Sequence, residues 1–134
     1  MNIQKTLVII KPDAVKKGII GEIIRRYEIK GLKIIEMKMV SASRTELEAH
    51  YLAHVAKPFY HTLLEFMTTG PIVVMILEGL DAVNSVRKIN GATHYLEAEG
   101  GSIRGLYASS ITENCVHSSD CEENVCREIE IWFK

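Results

Sequence analysis

The chain has no long apolar run, no excess of charge of either sign and few cysteines. Its first apolar stretch, Leu7 to Ile10, is four residues long, far short of a secretion signal's core or of the about 20 residues a spanning helix needs. That predicts a cytoplasmic address. With 16 basic residues against 17 acidic ones, composition points to neither a nucleic-acid nor a membrane surface. The three cysteines, Cys115, Cys121 and Cys126, are odd in number and crowded near one end; they do not make a complete disulfide framework and are expected as reduced thiols. No linker, low-complexity segment or internal repeat interrupts the chain. The phosphate-binding pattern G-x-x-x-x-G-K-[ST] is missing, so any nucleotide must be held by another design.

What remains is an ordinary globular composition, 47% hydrophobic and 25% charged over 134 residues, which predicts one domain over residues 1–134 with one compact core. The run Leu7 to Ile10 stops at Lys11-Pro12, and the residue before a proline is pushed out of the helical region, so Lys11 should lie extended at a strand's end. Ile20, Ile23, Ile24 and Tyr27 recur at helical spacing, with Gly31 to close the helix. Ile35, Met37 and Met39 alternate with Glu36 and Lys38, the period of a half-buried strand. Ser43 and Glu46 form a capping-box pattern ahead of Leu47 and Tyr51; Pro58 interrupts before a second helix with Leu63, Leu64 and Met67. Ile72 to Leu77 reads as a central strand covered on both faces. Asp81 can cap a helix reaching about Asn90, after which glycines at 91, 100, 101 and 105 punctuate a long irregular segment. A short strand over Cys115 to His117 and a last helix from Asp120 complete a mixed α/β sandwich with a small sheet.

His117 falls where that strand gives way to the last helix. Ser119 and Glu122 suggest a second capping box, which would seat His117 beside a helix N-terminus that favours phosphate. At about 100° per residue, Cys121, Val125, Glu128 and Trp132 share one helix face. Glu128 is thus a carboxylate in an apolar stripe, costly unless partnered, and an imidazole N–H is a ready partner. Such a contact fixes the histidine tautomer and leaves the other ring nitrogen free to attack. Arg104 sits among the small residues of Gly100-Gly101-Ser102-Ile103-Arg104-Gly105, where backbone can approach an anion.

From Thr6 to Phe133 the chain resembles the nucleoside diphosphate kinase family. The matching residues are Thr6-Leu7-Val8-Ile9-Ile10-Lys11-Pro12-Asp13, His50-Tyr51, Lys57-Pro58-Phe59, Gly70-Pro71, Gly91-Ala92-Thr93, Ile103-Arg104-Gly105, Asn114 with His117 and Ser119-Asp120, then Glu128-Ile129 and Trp132-Phe133. The resemblance implies an α+β fold: a ferredoxin-like βαββαβ sandwich with a four-stranded antiparallel sheet, and an inserted helical hairpin around Tyr51 to Phe59 that walls a nucleotide cleft. It implies Phe59 as the ring on which the base stacks, and Lys11 and Asn114 at the ribose and phosphate end. Tyr51, Arg87, Thr93 and Arg104 are implied as phosphate ligands, and Ser119 and Glu128 as the groups that orient His117. The implied activity is ping-pong transfer of a γ-phosphoryl group from ATP or another nucleoside triphosphate to a nucleoside diphosphate through phospho-His117. Magnesium is expected on the phosphate oxygens rather than in a protein cage, and the family implies a homo-oligomer, tetramer or hexamer.

Five positions depart from the family pattern. His94-Tyr95 stands where Asn-Pro is common, Gly100 where proline is frequent, Leu106 in place of an acidic residue, and Ser118 in place of glycine. The two missing prolines predict weaker assembly or lower stability, about 0.4 to 1 kcal/mol each where the native backbone accepts proline. If position 118 needs a left-handed backbone, serine there costs about 1 to 2 kcal/mol. Two rival readings exist. His50 and His54 have the spacing of a two-histidine metal site, with Cys115, His117 and Cys121 as further ligands, but Tyr51 replaces the glutamate of the zinc-protease motif and no C-x-x-C pair is present. No protein-held metal is expected. A non-catalytic interaction protein of the same fold would be expected to have lost His117 or its phosphate ligands first, and the aromatic signature of RNA-binding sheets is missing.

Overall fold

The structure, a computed structural model, describes residues 2–133. Strands β1 (Ile3–Ile10), β2 (Lys33–Val40), β3 (Ile72–Leu80) and β4 (Val116–Ser118) form one sheet in the order β2-β3-β1-β4, every pair antiparallel. Helices α1 (Pro12–Lys17) and α2 (Ile20–Ile29) link β1 to β2; α3 (Arg44–His50), a 3-10 turn (Leu52–His54) and α4 (Tyr60–Met67) form the inserted hairpin; α5 (Ala82–Asn90), α6 (Ile103–Tyr107) and α7 (Glu122–Trp132) follow. This is the βαββαβ arrangement that the resemblance implies.

The two inner strands are apolar and buried over residues 7–10 and 72–77, where both of their faces are covered. On β1, Val8 and Ile10 join Met75, Ile23, Tyr27 and Val86 in one cluster. Leu7 and Ile9 point the other way, into a cluster with Leu47, Leu64, Met67 and Trp132. The catalytic candidates sit at the sheet end where β1 meets β4, with Ile9 opposite His117.

Several local expectations are met. Ser43 and Glu46 make the full capping box, Glu46 N–H donating to Ser43 Oγ at 3.1 Å and Ser43 N–H to Glu46 Oε1 at 3.0 Å. Lys11 is extended, with φ −77° and ψ 164°. Proline at the first helical position then starts α1, and left-handed Gly18 closes it, a helix the sequence pattern did not reveal.

Others need correction. On β2 the face carrying Ile35, Met37 and Met39 is not covered by the core: these side chains are 37%, 49% and 56% exposed. β2 is an outer strand with a bulge between Ile34 and Glu36, and the two cores are built on the inner strands. Asp81 does not cap α5 with its side chain; its own backbone is left-handed (φ 45°) and its N–H donates to Asn2 O. The segment after Asn90 contains a short helix, α6, which Ser102 caps through Gly105 N–H. The last strand is Val116–Ser118 rather than Cys115 to His117, and α7 begins at Glu122. Ser119 does not cap it, because its hydroxyl is committed to Glu128. Ser118 lies in β4, outside the left-handed region, so the feared strain at this position is not there.

Candidate active site

Strain sits three residues before Ser118, at Cys115. Val116 N–H donates to Asn114 O at 2.9 Å around Cys115, whose φ is 74°; this is the rare, strained form of the three-residue turn. Three contacts brace it. Cys115 N–H donates to the buried Asp13 carboxylate at 3.0 Å, Lys11 N–H donates to Cys115 O at 2.8 Å, and Lys11 Nζ donates to Asn114 Oδ1 at 2.9 Å. The turn thereby ties the end of β1 to the start of β4 and sets Asn114 and His117 on either side of it.

His117 is gripped from α7. Its Nε2 lies 3.1 Å from Glu128 Oε1, and Ser119 donates its hydroxyl to the same oxygen at 2.7 Å. An oxygen already serving as acceptor fixes the imidazole tautomer: the proton is on Nε2 and Nδ1 keeps its lone pair. Glu128 is only 3% exposed. Arg127 Nη2 approaches its other oxygen at 3.6 Å.

Around this histidine opens a cleft of about 670 Å³. Its lining includes Lys11, Tyr51, Phe59, Arg87, Thr93, Arg104, Asn114, His117 and Glu128. Every site residue expected from the sequence is therefore in one place, Ser119 reaching it through Glu128. Arg104 is held by Nη1 donation to Gly91 O at 2.8 Å and Nη2 donation to Val116 O at 2.7 Å. Asn114 Nδ2 donates to Thr93 O at 3.3 Å. Phe59, half exposed on the hairpin, stands near the Lys57 ammonium and the His54 ring.

The electrostatics favour an anion. Burial, then the charge of Arg104, pulls the Lys11 ammonium down to about 8, against upward pulls from Asp13 and Cys115. Arg104 is also shifted down, by burial first, and burial pushes the Tyr51 hydroxyl up, keeping it a neutral donor. Among the described residues, the buried polar atoms without a partner include His50 Nε2, Tyr51 Oη, His54 Nδ1 and Arg104 Nε, all on residues lining this cleft. A buried polar atom left unpaired costs about 1 to 3 kcal/mol.

Four further residues shape the site. Ile111, 55% exposed, and Thr112 line the cleft from the loop before β4; nothing in their local pattern distinguishes them. Asp13 was visible only as part of the Lys11-Pro12-Asp13 match. His50 was weighed as a partner of His54 in a metal site, but its close companions are His117 and Glu128, whose ligating atoms lie within 4.8 Å of its own.

A strand-end histidine with one nitrogen pinned by a buried carboxylate and the other free, in a cationic cleft walled by an aromatic hairpin, is an arrangement suited to handling phosphate groups. The comparisons carry this further. The family model for nucleoside diphosphate kinase matches residues 4–134. A nucleoside diphosphate kinase of Caldanaerobacter subterraneus is 53% identical over 96% of this chain and 92% of its own length, and one of Staphylothermus marinus is 52% identical over 100% and 95%. The solved nucleoside diphosphate kinase of Aquifex aeolicus superposes with a TM-score of 0.96 at 37% identity, covering 99% of this chain and 96% of that one. That of Encephalitozoon cuniculi gives 0.95 at 41% identity, covering 97% and 88%. The chain belongs to the nucleoside diphosphate kinase family, whose activity is phosphoryl transfer between nucleotides. No helix among the described residues is long and apolar enough to cross a membrane.

Proposed function

We propose that transfer runs in two half-reactions through His117, and the observation that carries this is its uncommitted Nδ1 in a cationic cleft. In the first, the Nδ1 lone pair attacks the γ-phosphorus of ATP or another nucleoside triphosphate; the N–P bond forms as the bond to the bridging oxygen breaks, and the diphosphate leaves with that electron pair. No proton needs to move, since Nε2 keeps its own. Positive charge grows on the imidazole, and Glu128 at Nε2 offsets it. In the second half a different nucleoside diphosphate enters, its terminal oxygen attacks phosphorus and His117 is restored. Alignment and charge supply most of the catalysis.

Lys11, Arg87 and Arg104 are the cations for the phosphates, with Tyr51 and Thr93 as neutral donors. Lys11 and Asn114, bonded to each other, mark the ribose and phosphate junction. The Phe59 face offers a stacking platform that tolerates any base, which suits an enzyme taking many nucleotides. Magnesium fits this cleft through phosphate oxygens and water. Of the two lining carboxylates, Glu128 is committed to His117 and Ser119, which leaves Asp120 at most. When bound, the ion neutralises phosphate charge.

A homo-oligomer, tetramer or hexamer, is supported by the open apolar face of outer strand β2, with Met37 and Met39 half exposed. Three free cysteines suit a reducing, cytoplasmic setting. The decisive test is to incubate the protein with magnesium and ATP, remove nucleotide, weigh the intact chain and then add GDP. One acid-labile phosphate that GDP removes as GTP, lost in His117→Ala, is the expected result. A folded wild type that takes no phosphate overturns the proposal.

A further inference from the structure

His50 ends α3 and is 4% exposed, yet it is neither a nucleotide ligand nor part of the grip on the nucleophile described above. Three rings enclose it: His117 at a centroid distance of 4.4 Å and 77°, Tyr51 at 4.7 Å and 82°, and Trp132 at 5.8 Å and 63°. Trp132 Nε1 donates to His50 Nδ1 at 3.0 Å. An indole N–H can only donate, so Nδ1 of His50 must accept and its proton is on Nε2. That Nε2 has no hydrogen-bond partner among the described residues.

This tautomer bears on the gathering of His50, His117 and Glu128, whose ligating atoms lie close enough for a metal ion. Nδ1 of His50 is taken by Trp132 and Nε2 is protonated. Glu128 Oε1 and His117 Nε2 are taken by each other. A metal would have to break these bonds first, and the cluster is better read as a frame for the nucleophile.

We propose that His50 is a positioning residue for His117: anchored by Trp132, its ring sets the plane of the nucleophilic imidazole and leaves Nδ1 as the one uncommitted nitrogen. The inference rests on the phosphohistidine reading. The Glu128 hydrogen bond alone fixes one point of the His117 ring and leaves rotation about that point; the edge contact from His50 removes it. Neutrality matters as well, because an imidazolium at position 50 would repel the positive charge that grows on His117 as the N–P bond forms. Several surroundings hold His50 neutral. Burial comes first, followed by His117 on β4, Arg127 on α7, Lys11 at the end of β1 and His54 in the 3-10 turn, which together keep it well below the ordinary histidine range. Tyr51 and the Glu128 carboxylate complete the groups that face this pair.

The test is single-turnover phosphorylation by magnesium and ATP between about pH 5 and about pH 8, the range in which histidine titrates. His50→Asn keeps an acceptor for Trp132 but has no ring; the expected result is a saturated rate lower by roughly 10- to 100-fold, the scale of lost alignment, with half-saturating ATP unchanged. Trp132→Phe keeps the ring contact but frees Nδ1, and the acid limb of the rate profile should move to higher pH. A folded His50→Asn that phosphorylates at the wild-type rate overturns the proposal. Nitrogen NMR of wild type decides it should the variants not fold. His50 should show a bare Nδ1, a protonated Nε2 and no titration over that range, and a protonated Nδ1 overturns it. A wild type that takes no phosphate would instead refute the phosphohistidine reading, while the NMR result still reports on the anchor.

Discussion

Oε1 of Glu128 receives the Ser119 hydroxyl at 2.7 Å and faces Nε2 of His117 at 3.1 Å, so one carboxylate oxygen joins the serine to the histidine. Ser119 is itself fastened to β1: its N–H donates to Leu7 O at 3.1 Å and Leu7 N–H reaches its Oγ at 3.4 Å. The side-chain contacts thus run from the serine to His117 by way of Glu128. Ser119→Ala should lower the transfer rate by about 10-fold and Glu128→Ala by about 100-fold, magnitudes expected for loosened alignment. The double variant should be no slower than Glu128→Ala alone, since both substitutions cut the same chain. Initial rates of the three variants check this, and additive losses would mean that Ser119 acts by a separate route.

Ser118→Gly separates two accounts of the residue beside His117. Were position 118 left-handed, glycine would relieve strain. In the structure Ser118 is in β4, paired with Val8 and 7% exposed, so glycine should instead destabilise by about 0.5 to 1 kcal/mol through added freedom of the unfolded chain. A melting temperature lower by a few degrees is expected. A rise would place the strain at position 118 after all.

That pair of accounts shows what could be read from residues and what could not. Periodicity placed Glu128 and Trp132 on one buried face of the last helix, and the Glu128 contact with His117 followed from the cost of an unpartnered carboxylate. The left-handed residue could not be found this way. Cys115 adopts φ 74° because Asp13 and Lys11, distant in sequence, brace its N–H and carbonyl. Ser119 looked like a helix cap because spacing shows which bond a hydroxyl is able to make, not which competitor wins it. Alternation on β2 gave the strand but not the covered side, which depends on which strands the helices overlie. The surroundings of His50 are hidden in the sequence for the same reason: its partners come from β4 and α7.

The loop after α5 carries His94 and Tyr95, stacked at 5.4 Å and 11°. Glu97 and Ala98 N–H both donate to His94 O, which makes Tyr95 the first residue inside the turn, a position that suits proline. Tyr95→Pro should stabilise by about 0.4 to 1 kcal/mol through the unfolded chain. Thermal melts together with light scattering test this. A lower melting temperature would show that the ring pair stabilises the loop by more than the stiffer backbone does.

Lys11 supplies the pH dependence that follows from a buried ammonium in a phosphate cleft. Burial and Arg104 bring it down to about 8, whereas the unfolded chain holds that proton to about 10.4. Between these values the unfolded state binds more protons, so Lys11 makes the free protein gain stability as pH rises, by at most about 1.4 kcal/mol per pH unit. Nucleotide binding runs the other way. A phosphate beside Lys11 favours its charged form and raises its pKa, so above about pH 8 binding must take up a proton and affinity should fall by up to about tenfold per pH unit. Titration calorimetry of ADP at about pH 8.5, in buffers of different ionisation heat, measures that proton directly. Uptake should vanish in Lys11→Met, and a proton count of zero in wild type would mean that Lys11 is already charged in the empty cleft.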